Sequence, residues 1–216
     1  MQVKTLFVTA TGTGVGKTYA TRELLDTFAR RDIRVGVCKP LETGVNTLPE
    51  DAAILLKKTQ KLNPAFGDLH PEDLCAYTFS PPAAPFCADT DRNIDTAIIF
   101  DKVAQLKPLC DLLIVEGAGG LMVPITADYL MIDLIRDLES YALLVTPSRL
   151  GGINETLLSL EALEKRKIPH DWCVNLYEDA ADFPKVTQPF YDARFPGWWT
   201  LQEGLDRFVE KAVRFL

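Results

Sequence analysis

The sequence predicts an α/β fold, a single domain built on a parallel sheet with helices on both faces. Two observations predict it. Short apolar runs alternate along the chain with stretches of helical periodicity. The apolar runs are also hydrophobic throughout, where a half-exposed strand would alternate with polar residues, so they fit strands buried on both faces of a parallel sheet. A length of 216 residues, with 47% hydrophobic and 25% charged side chains, is enough for one sizeable core. No repeat, low-complexity tract or linker divides it, and one domain spanning 1–216 is expected.

The elements follow in order. Thr5–Thr9 (TLFVT) reads as a strand that breaks into a Gly/Thr loop, and Ala20, Leu24, Leu25 and Phe28 then recur at helical spacing. Residues Ile33–Cys38 read as a second buried strand, and Asp51–Lys58 as a short helix. Prolines crowd 64–85, which predicts loop. Residues 97–109 predict a helix leading into DLLIVEGAGG (111–120), an apolar strand that ends in an acid and a glycine turn. A further apolar run covers Ala142–Val145. After it, Ile153, Leu157, Leu158 and Leu160 predict one helical stripe, Trp172–Leu176 a last strand and 201–216 a last helix.

Composition excludes several classes. A formal charge of −7 argues against nucleic acid, whose phosphate backbone needs a basic face. No apolar stretch approaches the roughly 18 residues of a membrane span. The start, MQVKTLFVTATG, lacks a signal-peptide layout, so a cytoplasmic location is expected. Cys38, Cys75, Cys87, Cys110 and Cys173 show no CxxC spacing, so they are expected as reduced thiols acting as small core hydrophobes.

Residues 10–18 read ATGTGVGKT, between a strand and a helix. Glycines let backbone N–H groups turn inward onto phosphate oxygens, and the following helix adds its positive N-terminal field. Lys17 supplies a charge for the β and γ phosphates, and the Thr18 hydroxyl suits Mg²⁺. This predicts a P-loop NTPase-like site in which Gly12, Thr13, Gly14, Val15, Gly16, Lys17 and Thr18 bind the nucleotide. The strict pattern would have glycine where Thr11 stands.

Three further groups fall where parallel strands end, the edge at which open α/β sheets bind ligands. Lys39, in CKPLETG, closes the second strand, although a strand-end lysine is often simply solvated. Asp51 opens a helix, where an acid also favours the helix dipole without further purpose. Glu116 ends an apolar run and needs a cation or water there, which suits a Mg²⁺ ligand, direct or through water. The glycines after it suggest close backbone approach to a ligand. His70 and His170 lie away from every motif, so no Ser–His or Cys–His nucleophile is evident.

Together VGKT (15–18), KPLETG (39–44), Asp51-Ala52, VEGAGG (115–120) with VPIT (123–126), and LGGIN (150–154) resemble the dethiobiotin synthetase family, over roughly residues 3–176. The resemblance implies an ATP-dependent ligase that carboxylates 7,8-diaminononanoate with CO₂ and closes the ureido ring, giving dethiobiotin, ADP and phosphate. It implies that Lys17 and Lys39 are catalytic, Lys39 neutralising the carbamate and the travelling phosphoryl group. Thr18, Asp51 and Glu116 would surround Mg²⁺, and Thr43 would position the diamine. Asn175 would sit near the base. It also implies a homodimer in which Gly152, Ile153 and Asn154 reach the substrate across the subunit boundary, although LGGIN also reads as an ordinary glycine-rich helix start. Gly12 and Gly14 stand where the family has acids, and FPGWWT (195–200) matches poorly, which leaves the preference for ATP over other nucleoside triphosphates open. Trp198 and Trp199 are expected to pack or to form an interface.

Two rivals remain at this point. A sister amide-forming or cobyrinate-type ligase would have no need of Lys39 together with Thr43. A ParA/MinD-like switch ATPase would carry its signature lysine where Gly12 stands, and often adds a basic amphipathic tail.

Overall fold

The computed structural model describes residues 4–213. Among them, five parallel strands form the main sheet in the order β2-β5-β1-β6-β7. These are β1 (Lys4–Ala10), β2 (Val35–Cys38), β5 (Leu112–Glu116), β6 (Tyr141–Pro147) and β7 (His170–Asn175). Every residue of β2 and β5 is buried, as a sheet covered on both faces requires. A second pair, β3 (Leu41–Thr43) and β4 (Tyr77–Phe79), is also parallel. Helices α1 (Lys17–Ala29), α2 (Glu50–Leu62), α3 (Pro85–Ala88), α4 (Thr96–Leu106), α5 (Met131–Asp137), α6 (Gly152–Lys165), α7 (Phe183–Val186), α8 (Gln188–Arg194) and α9 (Leu201–Ala212) complete the described chain.

The α/β expectation holds, with local corrections. The second strand begins at Val35, because Asp32 turns with φ 58° and the Ile33 N–H still bonds back to Phe28 O of α1. The helix expected over Asp51–Lys58 continues to Leu62, where Asn63 goes extended before Pro64. The helix expected over 97–109 ends at Leu106 and tightens into a 3₁₀ turn over Lys107–Leu109. The last strand begins earlier than expected, at His170, and ends at Asn175. The proline-rich stretch contains the short strand β4, which is seen only through its partner β3. The last helix runs over Leu201–Ala212, and 214–216 of the expected span lie outside the described residues.

The expected stripe on α6 is also corrected. Gly152, Thr156, Leu160 and Leu163 form the buried face, whereas Leu157 and Leu158 are exposed. At 100° per residue, positions 152, 156, 160 and 163 fall within an arc of about 80°, and 157 and 158 rotate out of it.

The C-terminal part packs by its aromatic rings. Trp199 stacks on Phe208 with centroids 5.3 Å apart, and Trp198 lies 5.7 Å from both Phe183 and Tyr191. Both indole N–H groups donate to carboxylates, those of Asp192 and Asp171, so these tryptophans are packing residues. Four cysteines are buried and all five are free; Cys87 departs from the expectation because it is exposed.

Candidate active site

The C-terminal ends of β1, β2 and β5 converge beside the start of α1. The loop between β1 and α1 turns at Gly14 (φ 78°) and Gly16 (φ 103°), and Gly16 is the left-handed cap of α1. A Cβ on Gly16 would lie 2.3 Å from the Asn175 amide nitrogen. Gly16→Ala is therefore expected to be strained in backbone and contact alike, with nucleotide affinity reduced more than tenfold in a direct binding titration. Gly12 has no such requirement: its φ is not positive and a Cβ there meets nothing.

Lys17 and Thr18 occupy the first turn of α1. The Lys17 ammonium donates to the Gly12 carbonyl at 3.0 Å. Burial, followed by the charge of Lys39, lowers its pKa to about 8. Thr18 Oγ1 lies 2.9 Å from Glu116 Oε1 and 3.1 Å from Asp51 Oδ1.

Lys39 follows β2 and is almost fully buried. Its Nζ donates to Glu116 Oε1 at 2.6 Å and to Asp51 Oδ2 at 2.9 Å. Burial disfavours its charge, but the carboxylates of Glu116 and Asp51 outweigh burial and hold its pKa above the ordinary lysine value. Asp51 titrates below the usual carboxylate range: burial opposes this, and the Lys39 charge and hydrogen bond prevail.

Glu116, with no exposed surface, sits at the end of β5. Its second oxygen accepts from Thr21 Oγ1 at 2.7 Å. Thr21 was not singled out from the sequence, yet it stands one helical turn after Lys17 on the same face of α1, and that spacing is the available signal.

The glycines after Glu116 correct an expectation. Gly117 and Gly120 admit close packing against the protein itself: a Cβ would lie 2.8 Å from the Phe7 ring in the first case and 2.8 Å from the Thr11 carbonyl in the second. Only Ala118 and Gly119 of this loop line the cleft.

That cleft, about 370 Å³, is lined by Thr13, Gly14, Gly16, Lys17 and Thr18 on one side and by Lys39, Glu42, Thr43 and Asp51 on the other. Glu42 is a second residue the sequence reading quoted without a role: its carboxylate accepts from the Asp51 and Ala52 amides. A smaller adjoining cleft lies between Thr13, Gly14, Val15 and the Pro147–Arg149 turn, with Asn175, Tyr177 and Glu178. There Asn175 Nδ2 donates to the Val15 carbonyl at 3.0 Å, and Asn175 Oδ1 accepts from Gln202 of α9.

Gly152, Ile153 and Asn154 line neither cleft. The Gly152 N–H donates to Arg149 O at 3.0 Å, and a Cβ at this position would lie 2.7 Å from the Pro147 carbonyl oxygen. In the first turn of α6, Glu155 accepts from Thr11 Oγ1 and Arg149, which ties this helix start to the phosphate loop.

Among the described residues, no cluster of three or more His, Cys, Asp or Glu could hold an ion unaided. The oxygens of Thr18, Asp51 and Glu116 lie within hydrogen-bonding distance of one another through Thr18, a donor set that suits a hard cation completed by phosphate oxygens and water. The cleft is lined by the ammonium groups of Lys17 and Lys39 and by the acids Glu42 and Asp51, with the Glu116 carboxylate buried behind it against Lys39.

An ATP-dependent dethiobiotin synthetase from a Sulfurovum species is 58% identical over 207 residues, covering 96% of this chain and 99% of the relative. The chain belongs to the dethiobiotin synthetase family. A second synthetase of that name, from Wolinella succinogenes, is 37% identical, covering 96% of this chain and 97% of the relative. The AAA domain family matches residues 4–171.

The solved structures similar to the chain share its fold. A plasmid partition protein from Borrelia burgdorferi superposes with a TM-score of 0.57 at 9% identity, covering 98% of this chain and 100% of that one. A ParA family ATPase from Chlorobium tepidum gives 0.53 at 15% identity, covering 99% and 94%. At such identities only the P-loop architecture is shared, and the family follows from the synthetases.

Proposed function

We infer that this protein catalyses the ATP-dependent closure of the ureido ring of dethiobiotin from 7,8-diaminononanoate and CO₂. The observation that carries this is the buried Lys39 ammonium. It reaches the same cleft as the phosphate loop and stands 2.6 Å from Glu116 and 2.9 Å from Asp51.

One amine of the diamine bonds to CO₂ and loses a proton, giving a carbamate. A carbamate oxygen takes the γ-phosphoryl group of ATP, which forms the carbamic-phosphoric anhydride and releases ADP. The second amine then attacks the carbonyl carbon, phosphate departs, and a ring closes. The chain's part in this is positioning and charge neutralisation, which phosphoryl transfer chiefly needs. Lys17 and the loop amides hold the phosphates. Lys39 stands on the other side of the cleft, where it neutralises the carbamate and then the travelling phosphoryl group. Thr43, on the same wall, orients the diamine or carbamate.

Thr18 and Asp51, with Glu116 beneath them, would hold Mg²⁺. The ion when bound supplies charge neutralisation at the phosphate oxygens. Glu116 is fully enclosed by Thr18, Thr21 and Lys39, which favours an outer position acting through its neighbours. The smaller cleft at Asn175 would take the nucleoside.

A homodimer fits the exposed apolar residues Leu150, Leu157 and Leu158, which leave the outer side of α6 and its approach in need of cover. In that assembly Gly152, Ile153 and Asn154 would serve the partner's substrate. No described helix is long and apolar enough to cross a membrane.

Diaminononanoate with bicarbonate is expected to raise phosphate release from ATP at least tenfold over the rate without them, measured with a coupled phosphate assay. A rate indifferent to both would favour a switch ATPase and sink the ligase reading.

A further inference from the structure

We propose that Glu42 is a positioning residue for the metal-binding wall of the site, holding Asp51 in place through the backbone of α2. This rests on the reading of Thr18 and Asp51 as ligands of the MgATP complex.

Helix α2 begins without a cap of its own. Pro49 stands at the capping position, and its side chain offers no acceptor to the first-turn amides. Glu42 reaches in from β3, nine residues earlier. Its Oε1 accepts from the Asp51 amide at 2.9 Å and its Oε2 from the Ala52 amide at 3.0 Å. The side chain is buried, so both bonds are charge-assisted and shielded from water, and the negative charge lies at the positive end of the helix.

Asp51 is thus gripped twice from one short segment. Glu42 holds its main chain, while Lys39, three residues before Glu42, holds one carboxylate oxygen at 2.9 Å. The other oxygen is left for Thr18 at 3.1 Å. The segment is itself anchored: the Lys39 amide donates to Leu74 O, the Pro40 carbonyl accepts from Ala76 and Tyr77, and β3 pairs with β4.

A carboxylate beside a triphosphate site carries an electrostatic cost, and an amide would remove it. Glutamine, however, has one acceptor atom facing two N–H donors, and only the carboxylate satisfies both. The geometry accounts for a third acid in a cleft that binds anions.

The test uses the full chain as Glu42→Gln and Glu42→Ala. ATP binding is followed by titration calorimetry, first with EDTA and then across a Mg²⁺ series, with melting temperature measured in parallel. Metal-free ATP affinity is expected to stay at or above that of the parent protein. The Mg²⁺ concentration that half-saturates the ATP complex is expected to rise about tenfold in Glu42→Ala and less in Glu42→Gln, which keeps one acceptor. If the alanine variant does not fold, the glutamine variant carries the test. Variants that melt lower yet keep the parent Mg²⁺ midpoint would reduce Glu42 to a helix cap and overturn the proposal. A parent protein whose ATP binding ignores Mg²⁺ would overturn the metal reading itself, an outcome visible before any variant is made.

Discussion

Lys39→Ala is expected to lower turnover by about a thousandfold while MgATP still binds within a few-fold of the parent affinity. The phosphate loop, with Lys17 and Thr18, lies on the far wall of the cleft and keeps its own contacts, the Lys17 bond to Gly12 O among them. What is lost is the charge facing the carbamate and the moving phosphoryl group. The variant also leaves Glu116 buried without its cation, held only by Thr18 and Thr21. Breaking a buried pair in this way costs about 3–5 kcal/mol, so the nucleotide-free variant should melt well below the parent. Phosphate release with both substrates, calorimetric ATP binding and a thermal melt separate the three effects. Full turnover in Lys39→Ala would remove this residue from the mechanism.

Glu116→Gln keeps the volume and removes the charge. The pocket tolerates the amide because Thr21 Oγ1 can accept from it while sending its own proton to the Lys17 carbonyl, 2.9 Å away. The amide oxygen then still meets Lys39 and Thr18. The consequence is chiefly electrostatic: Lys39 keeps the partly exposed Asp51 as its directly bonded counter-charge, so burial is expected to bring its raised pKa down. A loss of about 3 kcal/mol would lower the melting temperature by roughly 6–12 °C in a chain of this size. Turnover should fall by about a hundredfold, with a higher Mg²⁺ requirement. An unchanged melt together with unchanged Mg²⁺ dependence would show that Glu116 is an incidental strand-end acid.

The individual elements show why some features were legible in the sequence. The runs TLFVT and LLIVE declared themselves as buried strands because both faces of a parallel sheet are covered, which leaves continuous apolar runs. ATGTGVGKT declared a phosphate site because the chemistry fixes glycines, lysine and threonine at local spacing. The strand β4 stayed hidden because three residues carry no periodicity and the strand exists only through its pairing with β3. The exposed Leu157 and Leu158 were misassigned because composition cannot say which side of a helix meets the sheet.

The sequence by itself determined the parallel α/β class and the phosphate loop with Lys17 and Thr18, since these depend on local spacing and residue chemistry, whereas Lys39 and Asp51 received their roles only through the resemblance to the synthetases. Only the tertiary structure decided that Lys39 bridges Glu116 and Asp51, that Thr21 closes the second side of Glu116, and that Glu42 caps a helix from another strand. Those pairings join residues from nine to ninety-five positions apart. A solvated acid and a buried, paired one are spelled with the same letter, and burial is a property of the packed chain.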